Sequence, residues 1–330
     1  MSFVFLFLLT FSLTFVLTVT LTRIFLPFLR RHHVGQRILE IGPSWHRPKE
    51  GTPTMGGIAF ILAALLSLLL TGGLLSTRLP ALFWRPLLFS FLYALANAAI
   101  GTLDDLTKFR RSQNAGLSPT EKLVLQITFS VAYIALLRIY GYIDTSLYIP
   151  YFNTVWELGY GYYIFAVLLS VGMVNFVNLS DGIDGLASTT ALIVGAFFAA
   201  AATYLAEATA LLTATAMMGA CLGFLLFNRH PARIFMGDTG SLFLGAMAIG
   251  CAFLLGNPLI VLIAGIFYVL EGASVILQVG WFKLTGTRLL RMAPLHHHLE
   301  RCGWSETGIV LFFSALSLLG AILAAFGIGG

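Results

Sequence analysis

Apolar residues fill this chain in long unbroken runs, separated by short segments that hold almost all of its charge. A run of roughly 18 or more apolar residues can cross a ~30 Å hydrocarbon core as a helix. Such runs predict ten spans, at about 3–25, 55–72, 84–103, 119–140, 160–178, 186–205, 209–227, 240–255, 258–282 and 306–328. A β-barrel would show short segments of alternating polarity instead. The pattern predicts an all-α, polytopic integral membrane protein, with residues 1–330 forming a single integral domain. The Leu205–Ala210 break reads as a tight external turn, and Pro150 with the aromatic run Tyr148 to Tyr163 as an external hairpin or interfacial belt.

Composition sharpens this reading. The chain is 58% hydrophobic and 10% charged, whereas a soluble domain carries about a quarter charged residues. The first run lacks a basic leader and a small-residue cleavage site, so it is expected to be a retained span rather than a signal peptide. Of the 19 Lys and Arg residues, 16 fall in the segments after spans 1, 3, 7 and 9 or in the first turn of span 4, leaving only Arg78, Arg85 and Arg138 on the other side. The positive-inside rule makes those segments cytoplasmic and, with an even number of spans, both termini external. The net charge of +5 then reports topology and contact with anionic lipid, not nucleic acid. Cys221, Cys251 and Cys302 lack ligand spacing, so neither a disulfide nor a zinc site is expected.

The aspartates are distributed less evenly than topology requires. Five of the six (Asp104, Asp105, Asp181, Asp184 and Asp238) fall in segments assigned to the cytoplasmic face. Asp104 and Asp105 close an apolar run and point about 100° apart on a helix, and Lys108 shares a face with Asp104 at i,i+4. In "NFVNLSDGIDGLA", Asn175, Asn178, Asp181 and Asp184 recur every three residues, which predicts one polar face on a helix leaving the membrane. In "FNRHPARIFMGDTGSLFLG", Asp238 opens a span behind Asn228, Arg229, His230 and Arg233. A carboxylate there is either a plain helix cap or a magnesium ligand beside a phosphate at the positive helix end. The Asp-Thr-Gly triplet lacks the β-rich, paired-loop context of aspartic proteases.

Two further segments add cations and donors. "RLLRMAPLHHHLE" sets three consecutive histidines in a basic loop, a spacing suited to anions or substrate orientation more than to zinc. "HRPKEGTPTMGG" offers Lys49, Thr52, Thr54 and a glycine pair before span 2. Acids for a divalent cation, bases for phosphate and amides for a polar headgroup, all at one face, point to phosphoryl chemistry between a soluble phosphate ester and a membrane substrate.

These motifs, with "GTLDDLTK", resemble the polyprenyl-phosphate N-acetylhexosamine-1-phosphate transferases over roughly residues 46–305, in the expected order. The "TPTMGG" and "RMAPLHHHLE" runs are most similar to the muramoyl-pentapeptide branch of that family. The resemblance implies a ten-helix fold, usually a homodimer, in the bacterial plasma membrane with a cytoplasmic cleft. It implies Mg²⁺-dependent transfer of phospho-MurNAc-pentapeptide from UDP-MurNAc-pentapeptide to undecaprenyl phosphate. By motif it implies Asp104 as the base on the lipid phosphate, Asp105 beside it, and Asp238 as the Mg²⁺ ligand. It assigns Asn178, Leu179, Asp181, Asp184 and Phe235 to the nucleotide. Lys49, Thr54, Lys108, Lys122, Asn175, Asn228, Gln278, His296, His297 and His298 complete the polar cleft. The chain departs from the family pattern at Leu299, where Phe is expected, and in "VLFFSAL", where an Arg-Phe-Trp run is expected.

Two alternatives stay open at the level of sequence. A relative acting on UDP-GlcNAc would share the acids but differ at the histidine run. A cation-coupled transporter would need polar groups near span midpoints, where Glu271 and Gln278 are the main deep ones.

Overall fold

The computed structural model describes residues 3–32, 49, 51–76, 81–111 and 116–328. His46, Arg47, Pro48 and Glu50 of the "HRPKEGTPTMGG" run, with Arg37 and Arg78 of the charge count, lie outside these residues. The described elements are α1 (Phe3–Arg31), α2 (Gly57–Ser76), α3 (Ala81–Arg111), α4 (Pro119–Ile139), β1 (Ser146–Ile149), β2 (Thr154–Glu157), α5 (Gly161–Leu179), α6 (Leu186–Tyr204), α7 (Ala208–Asn228), α8 (Gly237–Leu254), α9 (Ile260–Ala264), α10 (Ile266–Thr285), α11 (Leu295–Arg301) and α12 (Glu306–Phe326). Ten of these helices are long and apolar enough to cross a membrane, matching the predicted spans.

α8 is the axis of the bundle, with every residue from Thr239 to Phe253 buried. It is packed by α2, α3, α5 and α7. Lipid tails are as apolar as leucine, so close packing of small residues, rather than hydrophobicity, joins helices in a membrane. α1 and α7 illustrate this. Thr10, Thr14, Thr18 and Thr22 form a fully buried stripe on α1. Opposite lie Gly219 and Gly223 of α7, where an added Cβ would sit 2.7 Å from the Phe11 carbonyl oxygen and 2.8 Å from Thr18 Cβ respectively.

At 1.5 Å per residue, the 31 residues of α3 extend roughly 46 Å, well past a ~30 Å hydrocarbon core. Part of it therefore extends past the apolar slab, and Asp104, Asp105 and Lys108 lie in its last turns. α4 starts back from a capping box in which Ser118 and Glu121 satisfy each other's backbone N–H groups.

Two departures from the sequence reading concern helix ends. The ninth span is broken: Gly265 (φ −96°, ψ 29°) separates the short α9 from α10. Glycine in a helix interior is weakly held. α5 ends at Leu179, and Ser180–Gly185 is a turn closed by Gly185 at φ 78°. Asn175 and Asn178 are therefore helical, but Asp181 and Asp184 are presented by a turn, not by a continuing helix face.

The Pro150 region forms the expected hairpin, with Ser146 opposite Glu157 and Ile149 opposite Thr154. Tyr151 Oη donates to the Leu323 carbonyl at 2.7 Å, tying the hairpin to the far end of α12 from Glu306. The hairpin, with Asp144 beside it, and the other five aspartates thus occupy opposite ends of the bundle.

Candidate active site

The site assembles at one end of the bundle, around the start of α8. The loop from Arg229 to Met236 folds back under α7 because Asn228 is buried and committed on both sides. It accepts from Ser188 Oγ at 2.9 Å and donates to the Ile234 carbonyl at 3.0 Å. Phe235 then pairs with the segment before α2: its N–H donates to the Pro53 carbonyl at 2.8 Å, and Gly56 N–H returns to the Phe235 carbonyl at 2.9 Å. This pairing carries Thr54 to the start of α8.

Gly237 takes the left-handed conformation (φ 71°), and a Cβ there would lie 2.5 Å from Asp105 Oδ2 and 3.1 Å from Thr54 Oγ1. The room it leaves is used by Asp105, which accepts from Asp238 N–H (3.2 Å), Thr239 N–H (3.0 Å) and Thr239 Oγ1 (2.7 Å). The first N–H groups of a helix have no partner within it and attract negative charge. Asp105 of α3 thus caps α8 from across the interface, and both its oxygens are engaged.

Asp104, the next residue around α3, faces elsewhere. It accepts from Leu117 N–H at 2.8 Å and pairs with Lys108 Nζ at 2.6 Å. Asp238 meets Lys108 Nζ at 3.0 Å and Lys122 Nζ at 2.8 Å. Asn178 Nδ2 donates to it at 2.9 Å and to Ser241 Oγ at 2.8 Å. One oxygen from each of Asp104, Asp105 and Asp238 lies within 4.8 Å of the others. Three carboxylates meet two ammonium groups, so a further cation would relieve the repulsion among the acids. Hard, negatively charged oxygen donors are the ligand chemistry of Mg²⁺ and Ca²⁺, so the acid cluster can hold a metal ion.

A second polar cluster surrounds Asp184, which is buried on the turn before α6. It binds Lys49 Nζ at 2.8 Å, Ala232 N–H at 2.9 Å and His230 Nδ1 at 3.1 Å. Lys49 also reaches Glu306 Oε2 at 2.6 Å. Asp181 is half-buried on the same turn. Burial, then the charges of Asp238, Asp105 and Asp184, push its carboxyl well above the usual range of 3.8.

The three histidines face three ways. His296 is buried, its Nδ1 lies 3.0 Å from Glu271 Oε2, and its Nε2 backs onto Gly182, where a Cβ would lie 2.0 Å from it. His296 therefore touches the turn that carries Asp181 and Asp184. His297 pairs with Glu300 Oε2 at 2.6 Å, and His298 Nδ1 accepts from Arg291 N–H at 3.2 Å. Gln278 accepts from Leu290 N–H at 2.8 Å and so braces the loop before α11, outside the acid cluster. Asn175 exchanges hydrogen bonds with Gln126 at 2.8 and 3.4 Å, one turn below Asn178. Leu179 ends α5, one residue after Asn178.

Sequence reasoning passed over Gln126, Thr239, Ser241 and Glu306 as site residues. Gln126 lies four residues after Lys122, and Thr239 and Ser241 sit inside the Asp-Thr-Gly-Ser run, so helical spacing around named residues could have found them. Glu306 carried no signal beyond opening the last span after Ser305.

A sequence profile for the family described as Glycosyl transferase family 4 matches residues 87–256, from α3 to the end of α8. With its ten apolar helices, the chain is a membrane-embedded member of glycosyl transferase family 4. Residues 49–61 match signature 1 of the phospho-N-acetylmuramoyl-pentapeptide-transferases. Relatives bearing that name include one from Heliobacterium modesticaldum, 44% identical with 90% of each chain covered. Those from Bacillus pumilus and Bacillus subtilis are 42% and 41% identical, with 92% of each chain covered. The chain belongs to the phospho-N-acetylmuramoyl-pentapeptide transferase family.

Proposed function

We propose that this enzyme transfers phospho-MurNAc-pentapeptide from UDP-MurNAc-pentapeptide to undecaprenyl phosphate, forming lipid I and releasing UMP for peptidoglycan and cell-wall synthesis. The observation that carries the reading is the convergence of Asp104, Asp105 and Asp238 with Lys108 and Lys122 at the start of α8. In-line displacement at a phosphate needs little covalent chemistry from the protein; positioning and charge stabilisation suffice. An oxygen of undecaprenyl phosphate attacks the sugar-linked phosphorus, and the bond to the UMP oxygen breaks. Asp104 takes the proton of the lipid phosphate, and Lys108 and Lys122 face the charge that develops on the transferred group. Asp238 would hold Mg²⁺, whose chemistry there is neutralisation of the diphosphate.

Direct attack is favoured over a phospho-aspartate because charge stabilisation by Lys108, Lys122 and a bound cation suffices without a covalent intermediate. Asp105 is held by the α8 N-terminus, and Asp104 and Asp238 by lysines and amides. A labelled phospho-aspartate trapped without lipid acceptor would overturn that preference. The site faces the cytoplasm of the bacterial plasma membrane, a reading supported by the basic segments that share its end of the bundle.

The test is UMP release by the purified protein in detergent with undecaprenyl phosphate and Mg²⁺. UDP-MurNAc-pentapeptide and UDP-GlcNAc are compared side by side. Release with the first donor alone is expected; release with UDP-GlcNAc alone would move the enzyme to another branch. No release from folded protein with either donor would defeat the transferase reading.

A further inference from the structure

We propose that Glu306, on the first turn of α12, is a positioning residue for Lys49 and through it for the donor nucleotide. The inference rests on the transferase reading above. A lysine ammonium is a compact charge on a flexible four-carbon stem, so one partner fixes its distance but not its direction. Lys49 has two carboxylate partners from different elements: Asp184 Oδ1 at 2.8 Å from the turn before α6, and Glu306 Oε2 at 2.6 Å from α12. All three side chains are largely withdrawn from solvent, at 15% exposure for Lys49, 2% for Asp184 and 13% for Glu306.

Glu306 is itself held in place. Ser305 caps α12 by accepting from Gly308 N–H at 3.2 Å, and a negative charge in the first turn is favoured by the helix dipole. His230 closes the other side, with Nδ1 at 3.1 Å from Asp184 and 3.5 Å from Glu306. Asp184, His230 and Glu306 have spacing that a metal could bridge, but the Lys49 ammonium already joins the two carboxylates. An ammonium has three N–H donors. Asp184 and Glu306 take two, which orients the third toward an acceptor oxygen of the nucleotide.

The test is steady-state transfer by the full-length protein in detergent with Mg²⁺, comparing wild type, Glu306→Gln and Glu306→Asp. A hydrogen bond to a charged group accounts for about a tenfold effect. The KM for UDP-MurNAc-pentapeptide in Glu306→Gln is expected to rise about tenfold, while kcat and the KM for undecaprenyl phosphate stay within about twofold. The thermal midpoint is expected to hold. Glu306→Asp keeps the charge but draws it back by one methylene, and about a threefold rise in donor KM is expected. It also serves as the test if the Gln variant does not fold. An unchanged donor KM, or a fall in thermal midpoint with both KM values and kcat moving together, overturns the proposal. Wild-type protein that is inactive with this donor would instead overturn the transferase reading, and the inference with it.

Discussion

Both oxygens of Asp105 are taken by donors from the first turn of α8, whereas Asp104 looks toward Lys108 and the segment before α4. Adjacent positions on one helix therefore do different work. Asp105 caps the start of α8, and Asp104 faces Lys108, where we propose that the reaction occurs. Asp105→Ala removes a cap and leaves buried donors unmatched, a loss on the order of 2 kcal/mol. A drop of several degrees in thermal midpoint is expected, with loss of activity following it. Asp104→Asn keeps the shape and is expected to leave the midpoint in place while turnover falls about 10²- to 10⁴-fold. The reverse pattern, a destabilised Asp104 variant and a stable but inactive Asp105 variant, would reverse these assignments. The adjacency of the two acids and the i,i+4 place of Lys108 were legible in the sequence. The division of labour was not, because the donors that claim Asp105 lie more than a hundred residues away on α8.

Among the elements, the long apolar runs gave the ten spans, since hydropathy and length follow from the bilayer itself. The breaks inside runs were harder to see. Gly265 interrupts an apolar stretch without any polar signal, and the end of α5 at Leu179 depends on Gly185 taking a left-handed backbone. Asp181 and Asp184 keep their three-residue spacing across that turn, so periodicity alone misreads them as helical. The contact between α1 and α7 needs a partner to be recognised, because a threonine stripe and a glycine pair mean little apart. Gly223→Val would put a side chain where Thr18 Cβ already lies, an overpacking of about 1–3 kcal/mol. The thermal midpoint in detergent is expected to fall, with turnover per folded molecule retained. An unaffected midpoint would argue that α1 does not rest on α7 in this way.

Across the whole molecule, one end of the bundle collects five of the six aspartates and the other carries the hairpin, with α8 running between them. Concentrating negative charge at one end has a consequence for stability. The folded chain raises the pKa of Asp181 above its ordinary value of 3.8 through burial and its acidic neighbours. Above pH 3.8 the unfolded chain has released a proton that the folded chain still holds. Stability contributed by this group therefore falls as pH rises toward the folded pKa. Asp181→Asn is expected to flatten that part of the profile of thermal midpoint against pH. An identical slope in both proteins would remove Asp181 as its source.

We propose that phosphate is transferred at the acid cluster at the start of α8, with a metal held by Asp238. The most direct measurement is UMP release from UDP-MurNAc-pentapeptide and undecaprenyl phosphate by wild type and Asp238→Asn, each with Mg²⁺ or with EDTA, on samples of matched thermal midpoint. Release is expected from the wild type with Mg²⁺ only, and none from the folded variant under either condition. Undiminished release by Asp238→Asn, or by the wild type in EDTA, would contradict it.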